Sequence, residues 1–281
     1  MEDVARSLEA IHDSILRGDL QGAIGSASHI TFDRLPREAL EDLLAAVWAS
    51  TATLGEDPEQ ELRAYDLVLA IGRAMAAGGG GNEDGPRELI SDRVYTALFN
   101  KGVVLAQLGR TDEAIACYDQ LVAEAKGSRK ASLQQSAVRA LFNKGTRLTS
   151  LARLEEAIEV YDSLIHDYAD TGAPGLLLAV GKALINKGIA LAELDRSAEA
   201  VAVLDEVATR WSAAPDPQLR ERAARALLNK AAALMQLGQR DLASETYADI
   251  IARFEGESDS AVRELVEIAR FRKQALEESA H

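Results

Sequence analysis

The sequence predicts an all-α array of stacked antiparallel helix pairs, and three observations carry that prediction. The segment Ala97 to Gly102, Ala-Leu-Phe-Asn-Lys-Gly, returns at Ala140 to Gly145, at Ala183 to Gly188 and, with Ala for the final Gly, at Ala226 to Ala231. Its asparagines, Asn100, Asn143, Asn186 and Asn229, stand 43 residues apart at every step, and a fixed period of that size marks a repeat architecture. Leucines recur at helical spacing around each one: Leu98, Leu141, Leu184 and Leu227 before it, then Leu105, Leu148, Leu191 and Leu234, then Leu108, Leu151, Leu194 and Leu237. Such a stripe is expected to be buried.

In chain order, residues 2–17 and 20–30 read as two short helices, with Leu8, Ile11 and Ile15 on one apolar face. A helical pair follows, from Arg37 to about Leu54 and from Pro58 to about Ala77, with Pro58 suited to a first turn after Asp57. This pair resembles a worn copy of the later unit, with Gly55 ten residues ahead of Tyr65-Asp66 where Gly109 stands nine ahead of Tyr118. Gly78 to Gly81 then begin a low-complexity break, because consecutive glycines are costly to order in a helix. From Glu88 each unit is a long helix and a shorter one, with helix starts and turns at Thr111-Asp112, Ser128, Leu154-Glu155, Pro174, Ser197, Asp216-Pro217 and Ser258. The second helices contribute Ala114, Ala157, Ala200 and Ala243, then Tyr118, Tyr161, Leu204 and Tyr247, as core positions. The small residue two after each asparagine (Gly102, Gly145, Gly188, Ala231) lets the following helix approach. Val262 to Glu278 forms a last helix with Arg272 in the asparagine column, polar enough to close an open-ended stack. The expected organisation is an N-terminal helical segment (1–77), a Gly-rich loop or linker (78–86), four repeats (87–257) and a capping helix (258–281).

Composition narrows function. At 47% hydrophobic and 27% charged, the 281 residues are those of a folded protein. A net charge of −14 argues against general nucleic-acid binding, which needs clustered Lys and Arg. A single cysteine, Cys117, allows no intrachain disulfide and is expected as a small buried helix residue. Without a basic leader before an apolar run, and without an uninterrupted apolar segment near ~18 residues, neither signal peptide nor membrane span is expected. The expected localisation is cytoplasmic.

The residues quoted in the first unit, Ala97 to Gly102, Leu108-Gly109-Arg110, Asp112 to Ile115 and Tyr118, resemble the tetratricopeptide repeat. That family's usual period is ~34 residues, so this chain resembles its long-period bacterial class, with the excess lengthening the first helix at its N-terminal end. The resemblance implies a right-handed superhelical solenoid and a non-enzymatic scaffold that binds a peptide or protein in the concave groove of its first helices.

Asparagine is a mediocre helix former, yet four of the chain's five lie in mid-helix, so the column needs a reason. In the structural reading each Asn bridges to a neighbouring unit, and each lysine beside it (Lys101, Lys144, Lys187, Lys230, Lys273) sets its ammonium near an acid such as Asp119, Asp162 or Asp205. In the binding reading the asparagines share a stripe with Gln107, Arg139, Thr146, Lys182, Arg225 and Gln236. By resemblance, Arg139, Lys182 and Arg225 would grip an acidic or C-terminal carboxylate while the asparagines hold peptide backbone. Phe99 and Phe142 are expected as interhelical packing. No catalytic site is expected: His12, His29, His166 and His281 have no metal-ligand spacing. The glycine run lacks the Gly-Lys-Ser/Thr ending of a phosphate loop, so no cofactor or metal is expected. Glu155-Glu156 serve a helix start. Two other functions remain open: self-association through the solenoid ends, to which the polar end argues against extended filaments, giving a monomer or weak associate, and a sensor or regulatory subunit of an enzyme on another chain.

Overall fold

The computed structural model describes residues 6, 8–11, 13–14, 17, 19–27, 32, 35–51, 57–77, 84–128, 130–171 and 173–279. Among them every regular element is a helix: α1 (Leu20–Ala27), α2 (Arg37–Thr51), α3 (Pro58–Ala77), α4 (Asp84–Gln107), α5 (Thr111–Ala125) and α6 (Ala131–Ser150), then α7 (Leu154–Tyr168), α8 (Pro174–Glu193), α9 (Ser197–Trp211), α10 (Pro217–Gln236), α11 (Arg240–Phe254) and α12 (Ser260–Glu278). Residues 8–11 are also helical. The chain divides into two compact units, residues 1–140 and 141–281, with the boundary inside α6.

In the first unit α3 packs on α1, α2 and α4, α2 also meets α4, and α4 packs on α5. In the second, α7 to α12 pack consecutively, and α8 on α10 and α10 on α12 bring successive first helices together. First helices α6, α8 and α10 have 20 residues and second helices α5, α7, α9 and α11 have 15. This long-then-short alternation is what the period required.

The repeat columns are the core. Ala97, Ala140, Ala183 and Ala226 are fully buried, as are Ala114, Ala157, Ala200 and Ala243. Tyr118, Tyr161, Leu204 and Tyr247 are all at or below 3% exposure, and Leu105, Leu148, Leu191 and Leu234 at or below 4%. The glycine column exists for the aromatic column: a Cβ on Gly102 would stand 2.6 Å from Tyr118 Cε1, and one on Gly188 would stand 2.7 Å from Leu204 Cγ.

The last leucine column departs from the expectation. Leu108, Leu151 and Leu237 are about 40% exposed and Leu194 is half-buried, because all four lie in the turn past the helix end. Each turn closes in the same way. The backbone N–H of Arg110, Arg153, Arg196 and Gln239 donates to the carbonyl of Leu105, Leu148, Leu191 and Leu234 at 2.9–3.0 Å, a six-to-one closure that needs the preceding residue in the left-handed region. Gly109 (φ 77°) and Gly238 (φ 73°) meet that need freely, whereas Ala152 (φ 57°) and Asp195 (φ 59°) hold it with a side chain.

Helix starts follow local chemistry. Asp57 Oδ1 accepts the Glu59 N–H at 3.0 Å ahead of Pro58, and Asp216 accepts from Gln218 at 2.8 Å ahead of Pro217. Ser128, expected at a helix start or turn, lies in the turn through Gly127 (φ 79°), where its Oγ accepts the Lys130 N–H, and α6 begins at Ala131. The last helix starts at Ser260, capped by Asp259. Helix α4 begins at Asp84, inside the 78–86 stretch expected as loop; residues 78–83 lie outside the described residues, as do His12, His29 and His281. Gly175–Glu193 is long and apolar enough to cross a membrane by length and composition alone. It is interrupted by Lys182 and Lys187, and its apolar positions Val180, Leu184 and Leu191 are core.

Candidate functional site

The lysine column is an ion-pair ladder. Lys101 meets Asp66 at 2.5 Å in the first unit; in the second, Lys187 meets Asp162 and Lys230 meets Asp205, both at 2.5 Å. The acid always follows the aromatic-column position of the preceding second helix, so Asp66 puts the α2–α3 pair in register with the repeats. Lys273, in the last helix, turns to Glu277 instead.

The asparagines are all half-buried, with different surroundings. In the first unit Asn100 reaches the Tyr65 hydroxyl, which also donates to Glu61 at 2.6 Å; burial and that carboxylate push the phenol well above its ordinary range. In the second unit Asn186 donates to the Tyr161 hydroxyl at 3.3 Å. The column residue ahead of Asn229 is Leu204, which offers no hydroxyl, and Asn229 makes no side-chain hydrogen bond among the described residues. It opens instead into a pocket of 190 Å³ between α8 and α10, with Gly188, Ile189, Glu193, Leu204, Ala232 and Gln236. Three polar side chains, Asn229, Gln236 and Glu193, thus meet an apolar floor. Gln236 is held by Ser197, whose hydroxyl donates to its Oε1 at 2.8 Å.

The basic trio is not equivalent. Arg139 stacks its guanidinium 4.1 Å from the centre of the Phe99 ring, in the first unit. Lys182 sets its ammonium 5.9 Å over Phe142, in the second. Arg225 is tied to Glu221 at 2.8 Å on its own helix, so of the three it is the one neutralised by a carboxylate. Phe99 is 5% exposed and packs on Tyr118, while its face also carries a cation. Gln107, at the end of α4, and Thr146, on α6, are exposed, and neither lines the pocket. Asn143 lies half-buried on α6. Cys117 is buried, and desolvation pushes its thiol up.

What reading the residues missed is the consequence of Leu204. Its place in a column otherwise filled by tyrosine was visible as an apolar core position, but the loss of the hydroxyl that holds an asparagine shows only when the two columns meet.

Stacked helix pairs with a buried small-residue column and an exposed first-helix face define a helical repeat scaffold. The chain belongs to the tetratricopeptide-repeat family: profiles of the tetratricopeptide repeat match residues 87–129 and 100–174, 181–206 and 225–256, together just over half of the chain. Repeats of this family generally mediate protein or peptide binding. Among curated protein sequences none matches. Of solved structures, the nearly identical TPR-like repeats of a Podosopora anserina protein of the kinesin-light-chain type are similar at 17% identity and a TM-score of 0.46, covering 80% of this chain and 97% of that one. A tetratricopeptide repeat protein from Parabacteroides merdae is similar at 12% identity and a TM-score of 0.34, covering 96% and 100%.

Proposed function

We propose that this chain is a non-enzymatic interaction scaffold that holds a peptide segment of a partner protein against its first helices, with Asn229 and Gln236 taking peptide backbone in the second unit. The observation that carries this reading is Asn229. Its structural duty disappears where Leu204 replaces tyrosine, yet the asparagine is retained, half-buried, over an open pocket. An amide there offers both a donor and an acceptor to a passing backbone, and the floor formed by Ile189, Leu204 and Ala232 suits a small aliphatic side chain. Lys182, stacked on Phe142, keeps its ammonium exposed and supplies a positive charge to an acidic residue or C-terminal carboxylate of the partner.

The test is affinity capture from a native lysate, comparing the wild type with the Asn229→Ala, Gln236→Ala double variant. A partner retained by the wild type and lost from a variant of unchanged melting temperature is expected. Equal retention by both would remove the pocket from the binding surface.

Self-association is the second reading, and Phe271 favours it. This ring is 74% exposed on α12, among otherwise polar neighbours. Light scattering over a wide concentration range decides it: a constant monomeric mass removes the reading, while a rise abolished by Phe271→Ser supports it.

A further inference from the structure

The first unit contains a larger opening, on the second-helix side. A cleft of 480 Å³ lies over α4 between α3 and α5, within the size range of sites that enclose a small molecule. We propose that it binds a small amphiphilic anion, a carboxylate or sulfonate head on an apolar body.

The lining supports both halves of that ligand. Leu69 and Met75 from α3 and Val94 and Leu98 from α4 form an apolar floor that is buried or half-buried. The charged lining consists of Arg37, Arg73 and Lys101 against Asp66 and Glu124, an excess of one positive charge in a chain whose net charge is −14. Lys101 is spent on Asp66 at 2.5 Å and Arg37 bonds Glu41 at 2.8 Å. Arg73 has no acidic partner among the described residues; its Nε donates to the Leu69 carbonyl at 3.3 Å, which leaves the two terminal nitrogens of the guanidinium for an oxyanion.

The same chain shows that an opening here is not a property of the repeat. At the corresponding place in the second unit, over α8 between α7 and α9, Arg210 donates to the Ala169 carbonyl at the end of α7. Beside it Trp211, 4% exposed, covers Gly181. Counting from the aromatic column, the positions of Arg210 and Trp211 are held in the first unit by Glu124 and Ala125. Neither can span the groove, so the cleft stays open where its counterpart is closed by side chains.

The chain's single cysteine supplies the readout, because Cys117 lines this cleft. The experiment measures binding of 1-anilinonaphthalene-8-sulfonate by fluorescence, its displacement by decanoate, and the rate at which N-ethylmaleimide modifies Cys117 with and without decanoate. One saturable site per chain is expected, with decanoate displacing the dye and slowing Cys117 modification several-fold. Arg73→Gln is expected to weaken binding about tenfold by removing a charge-assisted hydrogen bond, and Glu124→Gln to strengthen it a few-fold by removing a like charge from the opposite wall. Both side chains are exposed, and circular dichroism melts establish that the variants remain folded. Unchanged binding in both folded variants, or Cys117 modification indifferent to decanoate, overturns the proposal. The cleft and the Asn229 pocket lie in different units, so either can fail without the other.

Discussion

Asn186 and Asn229 occupy the same column and are predicted to behave differently on truncation. Asn186→Ala removes the bond to the Tyr161 hydroxyl and is expected to cost about 1 kcal/mol of unfolding free energy. Asn229→Ala removes no hydrogen bond among the described residues and is expected to stay within about 0.5 kcal/mol of the wild type. Urea denaturation of both variants separates a structural asparagine from one kept for binding; equal losses would sink the distinction. Gly102→Ala tests the neighbouring column. A Cβ 2.6 Å from the Tyr118 ring overpacks the helix pair by about 1–3 kcal/mol, against a gain in helix propensity of about 1 kcal/mol. A net loss near 1 kcal/mol is expected in the same assay. The asparagine, lysine and glycine columns were legible as columns from their period. The lysines meet Asp162 and Asp205 as their spacing led one to expect, but Asp66 and the tyrosine hydroxyls were not legible, because Asp66 lies 35 residues from Lys101 and Tyr161 lies 25 from Asn186, and no local pattern reports those meetings.

At the scale of the elements, the interhelical turns are the repeated device. Each needs one left-handed residue, and Ala152 fills that position at φ 57°. Ala152→Gly is expected to raise stability by about 0.5–1 kcal/mol, since the strain relieved exceeds the added freedom of the unfolded chain; a higher urea midpoint with an unchanged slope is the check. Beyond the turn, Arg110, Arg153 and Arg196 clamp Glu113, Glu156 and Glu199 with paired bonds of 2.6–2.7 Å. The arginine hydrogen bonds, outweighing desolvation, hold these carboxyls below the usual glutamate range. A depressed folded-state pKa gives stability that is present above the unfolded value and lost as pH falls through the folded one. The three turns are therefore expected to loosen on acidification below the ordinary glutamate range, while the fourth turn, which carries Gln239 and Leu242 in place of the pair, does not. Carboxyl titration by NMR checks both the order and the contrast. The exposed leucines of these turns were misread from sequence for a related reason: their spacing continues the helical stripe, but the chain leaves the helix one residue earlier.

For the molecule as a whole, the sequence by itself determined the repeat, the alternation of long and short helices from α4 onward and nearly all of the buried columns. Those features depend on period, apolar spacing and capping residues, which act over one or two helical turns. Tertiary structure decided what the columns are free to do. It spent Lys101, Lys187 and Lys230 on aspartates and Arg225 on Glu221, released Asn229 by setting Leu204 beneath it, and left the α3–α5 groove open where Arg210 and Trp211 close its counterpart. Availability of a polar group is set by what stands opposite it, and in a stack of helices that neighbour comes from another element, far along the chain.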